Sequence, residues 1–198
     1  DNNLVGRLPK DILDIRQLEF LDLSGNRISS VPDFHLMPNL TSLDLSENNL
    51  DFGDLEPLVD LTSLSYSPQR NFGSSLIDTL AIGSSVEFIS SLDGTNNSYQ
   101  WSYENLSGVE EDIPGAISDT YEIVGLAYEN MGTYRLQVTS PLVPDLTLES
   151  FPKTVWASGS IRFHAVNQSG SDVNDGTAYL FKIIEGEPYD SLAPVAGT

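Results

Sequence analysis

Three observations predict a mixed, mostly β fold. An apolar pattern recurs over the first third of the chain at intervals of 24, 22 and 21 residues, and from about residue 73 short alternating segments separated by turn residues replace it. Beyond residue 158 only two or three more strand-like segments fit. The 198 residues therefore divide into a repeat stack at 1–72, a β-sandwich at 73–158 and a partial β segment at 159–198, the start of a further β domain or a docking hairpin.

The pattern in the first part is LxxLxLxxNxL. It is complete at Leu18, Leu21, Leu23, Asn26 and Ile28, and again at Leu40, Leu43, Leu45, Asn48 and Leu50. A third copy keeps Leu61, Leu64 and Tyr66 but has Gln69 in the Asn place, and the chain opens on Asn2 and Leu4, the tail of a copy. The alternation in LxL makes a short strand with one face buried, while the Asn can hydrogen-bond backbone groups of neighbouring turns from inside the stack. With Pro68 in the turn and Gln69 after it, the array is expected to degrade there. A stack must cover its terminal apolar faces, so a chain that opens in mid-repeat is expected to have lost earlier repeats. These residues resemble leucine-rich repeats, and NNLVGRLP resembles the LxGxLP convex segment of plant-type and many bacterial repeats. The resemblance implies a solenoid.

In such a stack, residues between the buried leucines project from the strand face in columns about 5 Å apart. One column runs Phe20, Ser42, Ser63; the next Asp22, Asp44, Ser65; the third Ser24, Ser46, Ser67. Phe20, Asp22, Ser24, Ser42, Asp44, Ser46, Ser63 and Ser65 make a flat polar face with one aromatic, suited to protein or glycan contact; the bland alternative is an ordinary solvated strand face. Asp22 and Asp44 fall side by side, and like charges directly opposite are destabilising, so the pair is expected to need full exposure, a basic or hydroxyl-rich partner, or a bridging cation. Calcium ranks last, because two carboxylates fall short of its roughly six to eight oxygens.

In the second part, Ser85–Ile89 and Tyr134–Val138 alternate apolar and polar residues, and Asp93-Gly94 and Ser107-Gly108 mark turns; about seven antiparallel strands fit. Trp101 lies in YQWSYE, and Asn130, Gly132 and Tyr134 precede Leu136. This spacing resembles the immunoglobulin-like pattern, which implies that Tyr134 is the tyrosine corner and that Leu136 and Phe88 occupy the places of the two cysteines, packed on Trp101. Trp101 is read as core rather than as a ligand-stacking residue.

In the third part strands are expected at Ile161–Val166 and Thr177–Ile184, too few to close a core alone. Leucine-rich repeats leading into a cysteine-free immunoglobulin-like domain are similar to the internalin-type arrangement of bacterial surface and secreted proteins.

Composition narrows the chemistry. There is no cysteine, which excludes a disulfide framework and zinc-thiolate sites, and nine Lys plus Arg against 29 Asp plus Glu give a net charge of −20, which repels nucleic acid and anionic membrane surfaces. No apolar run approaches the roughly 18 residues of a membrane span. His35 and His164 fall in different parts, and no GxSxG, HExxH or phosphate-cradling loop occurs. DVNDG at 172–176 misses calcium-loop spacing and reads as a turn, and Glu110-Glu111-Asp112 as a solvated loop. Asn39, Asn96, Asn105 and Asn167 head N-x-S/T triplets, which carry glycans only in a eukaryotic exported protein. The expectation is an extracellular, non-catalytic binding or adhesion module without cofactor or metal, part of a longer bacterial surface or secreted polypeptide. The alternatives are a passive spacer or the accessory region of a secreted hydrolase.

Overall fold

The computed structural model describes residues 2–158 and, beyond them, two short strands at Ile183–Ile184 and Glu187–Pro188. The chain divides into two units, Asp1–Gly159 and Ser160–Thr198. The strand expected at 161–166, His164, Asn167 and the turn at 172–176 lie outside the described residues.

The repeat region contains β1 (Val5–Arg7), β2 (Phe20–Asp22), β3 (Arg27–Ser30), β4 (Ser42–Asp44), α1 (Phe52–Leu55) and β5 (Leu64–Ser65). Strands β2, β4 and β5 form one parallel sheet, with Phe20 opposite Ser42, Asp22 opposite Asp44 and Asp44 opposite Ser65. A second parallel pair, β1 with β3, closes the other side. The period of the sequence explains both. Leu23, Ile28, Leu43, Leu45 and Leu50 point inward and are buried, and the returning turns add Phe34, Met37, Phe52, Leu55 and Leu58. Two of these turns begin with an aspartate that caps them. Asp33 accepts from the His35 amide at 3.0 Å, and Asp51 from the Asp54 amide at 3.2 Å.

The inward asparagines form the expected ladder. Asn26 Oδ1 accepts from the amides of Asn2 and Leu4, and its Nδ2 donates to the carbonyls of Leu23 and Ser24. Asn48 repeats this one coil on, accepting from Ile28 N at 3.0 Å and donating towards the carbonyls of Leu23, Leu45 and Ser46. Gln69 does not end the pattern as its residue type suggests. Its longer side chain accepts from Leu50 N and donates to Leu45 O and Tyr66 O, so the ladder runs through all three copies.

The second region contains β6 (Leu76–Ala81), β7 (Val86–Ile89), β8 (Ser98–Glu104), β9 (Glu110–Asp112), β10 (Thr120–Ile123), β11 (Gly132–Thr139), β12 (Thr147–Glu149) and β13 (Lys153–Ser158). That is eight strands against about seven expected. The larger sheet has the order β6-β13-β11-β8-β9, with β12 also paired to β11; β7 and β10 pair separately. Phe88 from the small sheet stacks on Trp101 from the large one, ring centroids 5.9 Å apart, and lies 5.5 Å from Tyr134. Leu136 lies directly across from Trp101 in the β11–β8 ladder and is 1 % exposed. Three apolar side chains thus fill the centre where a disulfide could have stood. Trp101, 2 % exposed, donates its Nε1 to Ser118 O, a core role.

Two expectations are corrected. The strands are not all antiparallel: β6 runs parallel to β13, because the entering and leaving segments lie side by side at one edge. Glu110-Glu111-Asp112 is not a loop but the edge strand β9, all three residues exposed. Arg135 reaches Glu104 and Glu110 at 2.7 and 3.2 Å, which offsets part of their repulsion, and the acidic row discourages edge-to-edge pairing.

The repeats meet the sandwich through a dense set of contacts. Asp51 Oδ2 accepts from Asp93 N, and Gly53 N donates to Asp93 O. Glu56 receives both the amide and the hydroxyl of Thr95. Tyr66 donates its hydroxyl to Pro144 O, Ser67 donates to Asp145 O, and Phe72 bridges to Ser150. A Cβ on Gly53 would stand 2.6 Å from the Asp93 Cβ, and one on Gly94 2.8 Å from the Phe52 Cβ, so both glycines are needed for this approach. None of it is visible in either half's pattern alone.

Candidate functional site

The parallel sheet β2-β4-β5 presents the candidate residues in their expected columns. Phe20 is 69 % exposed at the start of β2, beside Ser42 of β4. Ser63 O accepts from Leu43 N, which sets Ser63 in the same row, and Ser65 stands beside Asp44. The alternation that buries Leu43 and half-buries Leu21 and Leu64 turns these neighbours outward. Ser67 leaves its column, since its hydroxyl is turned to the sandwich.

Asp22 and Asp44 are adjacent across the β2–β4 ladder, and each accepts two hydrogen bonds from its own strand. Asp22 Oδ1 accepts from the Ser24 amide at 2.9 Å and the Ser24 hydroxyl at 2.6 Å. Asp44 Oδ1 does the same with Ser46, at 2.9 and 2.7 Å. Each Asp-x-Ser is a closed local turn with two donors on one carboxylate oxygen, and the Ser24 hydroxyl and amide hold the Asp22 carboxyl below its ordinary pKa. Of the three expected forms of relief, exposure is the one met at Asp22, while Asp44 is half-buried. Among the described residues the second oxygen of each carboxylate has no hydrogen-bond partner. The face therefore offers a row of acceptors beside one exposed aromatic ring. The recurrence of Asp-x-Ser 22 residues apart was a legible signal for this turn.

On the opposite, turn-bearing side His35 links successive coils. Its Nδ1 lies 2.8 Å from Asp33 and its Nε2 2.8 Å from Asp60. With a carboxylate on each ring nitrogen the imidazolium is favoured: the hydrogen bonds it donates to Asp33 first and Asp60 second raise the His35 pKa, while His35 lowers that of Asp33. Asp60, 25 residues away, was not a partner the sequence could name. Among the described residues no group of three His, Cys, Asp or Glu is placed to hold a metal ion, and no helix is long and apolar enough to cross a membrane.

Residues 16–59 match the family model described as "Leucine Rich repeats (2 copies)". A solved structure, the "Crystal structure of Dscam1 isoform 6.9, N-terminal four Ig domains", aligns with 42 % of this chain and 22 % of its own length, at 14 % identity and a TM-score of 0.35. The aligned part thus spans about a fifth of that protein. Leucine-rich repeats commonly mediate protein binding, and a binding role is consistent with the exposed, locally braced strand face.

Proposed function

We propose that this chain is an extracellular, non-catalytic binding module of a larger bacterial surface or secreted protein. In this reading 1–72 is a leucine-rich repeat solenoid, 73–158 an immunoglobulin-like sandwich and 159–198 the start of a further β domain. The Tyr134 hydroxyl donates to Asn130 O four residues upstream, at 2.8 Å, as a tyrosine corner does, and this supports the sandwich assignment. The sheet β2-β4-β5 is the binding surface, its partner a protein or glycan presenting hydroxyl or basic groups to Asp22 and Asp44 and an apolar patch to Phe20. The observation that carries the reading is the repeated Asp-x-Ser turn, which fixes two carboxylates in register on a rigid face beside an exposed ring. Positions fixed before binding lose less side-chain entropy on contact.

A second reading, the passive spacer, is favoured by the junction, where Asp51, Glu56, Tyr66 and Ser67 all bond across to the sandwich. Retention of defined glycans and of cell-surface proteins on the immobilised chain separates the two. Retention that fails when the strand face is altered supports the binding module, and equal retention supports the spacer.

A further inference from the structure

The residue after each ladder position is exposed. These residues are Arg27 after Asn26, Asn49 after Asn48 and Arg70 after Gln69, and their period sets them in one row. They line a single pocket of about 360 Å³ together with Asn71 and Phe151. A chain with 29 acidic and nine basic residues has here brought two guanidinium groups and no carboxylate into one lining.

Arg70 is bent back along the row. Its Nε lies 3.0 Å from the carbonyls of both Asn26 and Glu47, which fixes the guanidinium beside the residue preceding Arg27. That bond uses one of the five N–H groups of Arg70. Among the described residues, the other four and the whole Arg27 guanidinium have no hydrogen-bond or ion-pair partner. Asn71 donates to Ser150 O and keeps its carbonyl oxygen for a ligand, while Phe151, 41 % exposed, supplies an apolar wall.

We propose that this pocket binds an anionic saccharide, its carboxylate or sulfate held between Arg27 and Arg70, its hydroxyls on Asn49 and Asn71 and its ring face on Phe151. Planar forked donors fit a carboxylate or sulfate edge, amides suit hydroxyls that both donate and accept, and an aromatic wall covers the apolar C–H face of a sugar ring. The net charge of −20 does not prevent this. At physiological ionic strength distant charges are screened over about 8 Å, so the groups within the lining dominate. Asp22, Ser24, Asp44 and Ser46 take no part in this lining.

The test is calorimetric titration of the full chain with three oligosaccharides of equal length: oligogalacturonate, its methyl ester, and a sulfated galactan fragment. The expected result is that at least one anionic form binds and that the ester binds about tenfold or more weakly. Arg27→Ala, which removes no protein hydrogen bond, should lose about tenfold or more with an unchanged circular dichroism spectrum and melting temperature. Val124→Ala, at a 73 % exposed residue that takes no part in this lining, should leave the affinity unaltered. The carboxylated and sulfated arms tell which anion is preferred. Binding of neither anionic form, an ester that binds as tightly as the anionic form that is retained, or full affinity in Arg27→Ala would overturn the proposal.

Discussion

Replacing Asn48 by Ala probes the feature that ties sequence period to fold. Asn48 is 0 % exposed and holds three kinds of contact: its Oδ1 takes the Ile28 amide of the previous coil, and its Nδ2 serves Leu23 O across the coil and Leu45 O and Ser46 O within its own. An amide has only two N–H groups, so at most two of those three carbonyls are bonded strongly at once. Alanine leaves one buried amide and two carbonyls unpaired. At about 1 to 3 kcal/mol for each buried group deprived of its partner, partly relieved by relaxation or entering water, the loss is roughly 3 to 5 kcal/mol. A domain of ordinary stability has only about 5 to 15 kcal/mol in total. Asn48→Asp should be as damaging near neutral pH, because the carboxylate keeps the acceptor but brings a negative charge against the same carbonyls. Urea unfolding followed by circular dichroism measures this. With a slope near 2 kcal/mol/M, a loss of that size moves the midpoint down by about 1.5 to 2.5 M. A cost below about 1 kcal/mol, the range of ordinary surface changes, would refute the reasoning.

Other outcomes follow from single contacts. Leu136→Ala should cost about 2 to 5 kcal/mol by opening a cavity beside Trp101, measured by the same unfolding curves; a surface-like value would place Leu136 outside the core. Tyr134→Phe removes only the hydroxyl bonded to Asn130 O and should cost about 1 kcal/mol, with native tryptophan fluorescence retained. Glu56→Ala removes both acceptors of Thr95, so limited proteolysis should cut the segment near residue 95 faster while the far-ultraviolet spectrum stays the same. The His35 clamp stabilises the fold in a window bounded below by the lowered pKa of Asp33 and above by the raised pKa of His35. Its contribution is complete only below the unfolded histidine value and fades as pH rises through the folded one, whereas the Asp33 part fades as pH falls through its own lowered value. His35→Gln should therefore flatten the stability profile above about pH 6, and an NMR titration should place the His35 midpoint above that of a model histidine.

What could be read in the sequence was whatever repeats or alternates. The leucines and asparagines recur with the coil period, so the strands β2, β4 and β5 and their register were legible before any coordinates. Tyr134, Leu136 and Trp101 were legible because cross-strand spacing is set by alternation. The columns of the strand face were legible too, but their electrostatics were not. Neighbouring backbones predict the adjacency of Asp22 and Asp44, but not that each is bonded two residues on, to Ser24 and Ser46. Gln69 continues the ladder despite its residue type, because one more methylene still delivers an amide to the same groups. Contacts between distant segments left no local trace. The His35–Asp60 bond, the Glu56–Thr95 junction and the parallel pairing of β6 with β13 depend on how separate elements meet.

If the β2-β4-β5 face binds a ligand, its ring and its two carboxylates carry the affinity. The most direct measurement compares the wild-type chain with a Phe20→Ala, Asp22→Asn, Asp44→Asn variant for retention of a defined glycan panel and of cell-surface proteins. Asparagine keeps the oxygen that Ser24 and Ser46 donate to, so the variant loses the charges and the ring while keeping the turns. The prediction is that the wild type retains a ligand and that the variant loses about tenfold or more of that affinity, with circular dichroism and unfolding midpoint unchanged. Equal retention by the two folded proteins would contradict the claim and leave the rigid spacer as the function of this region.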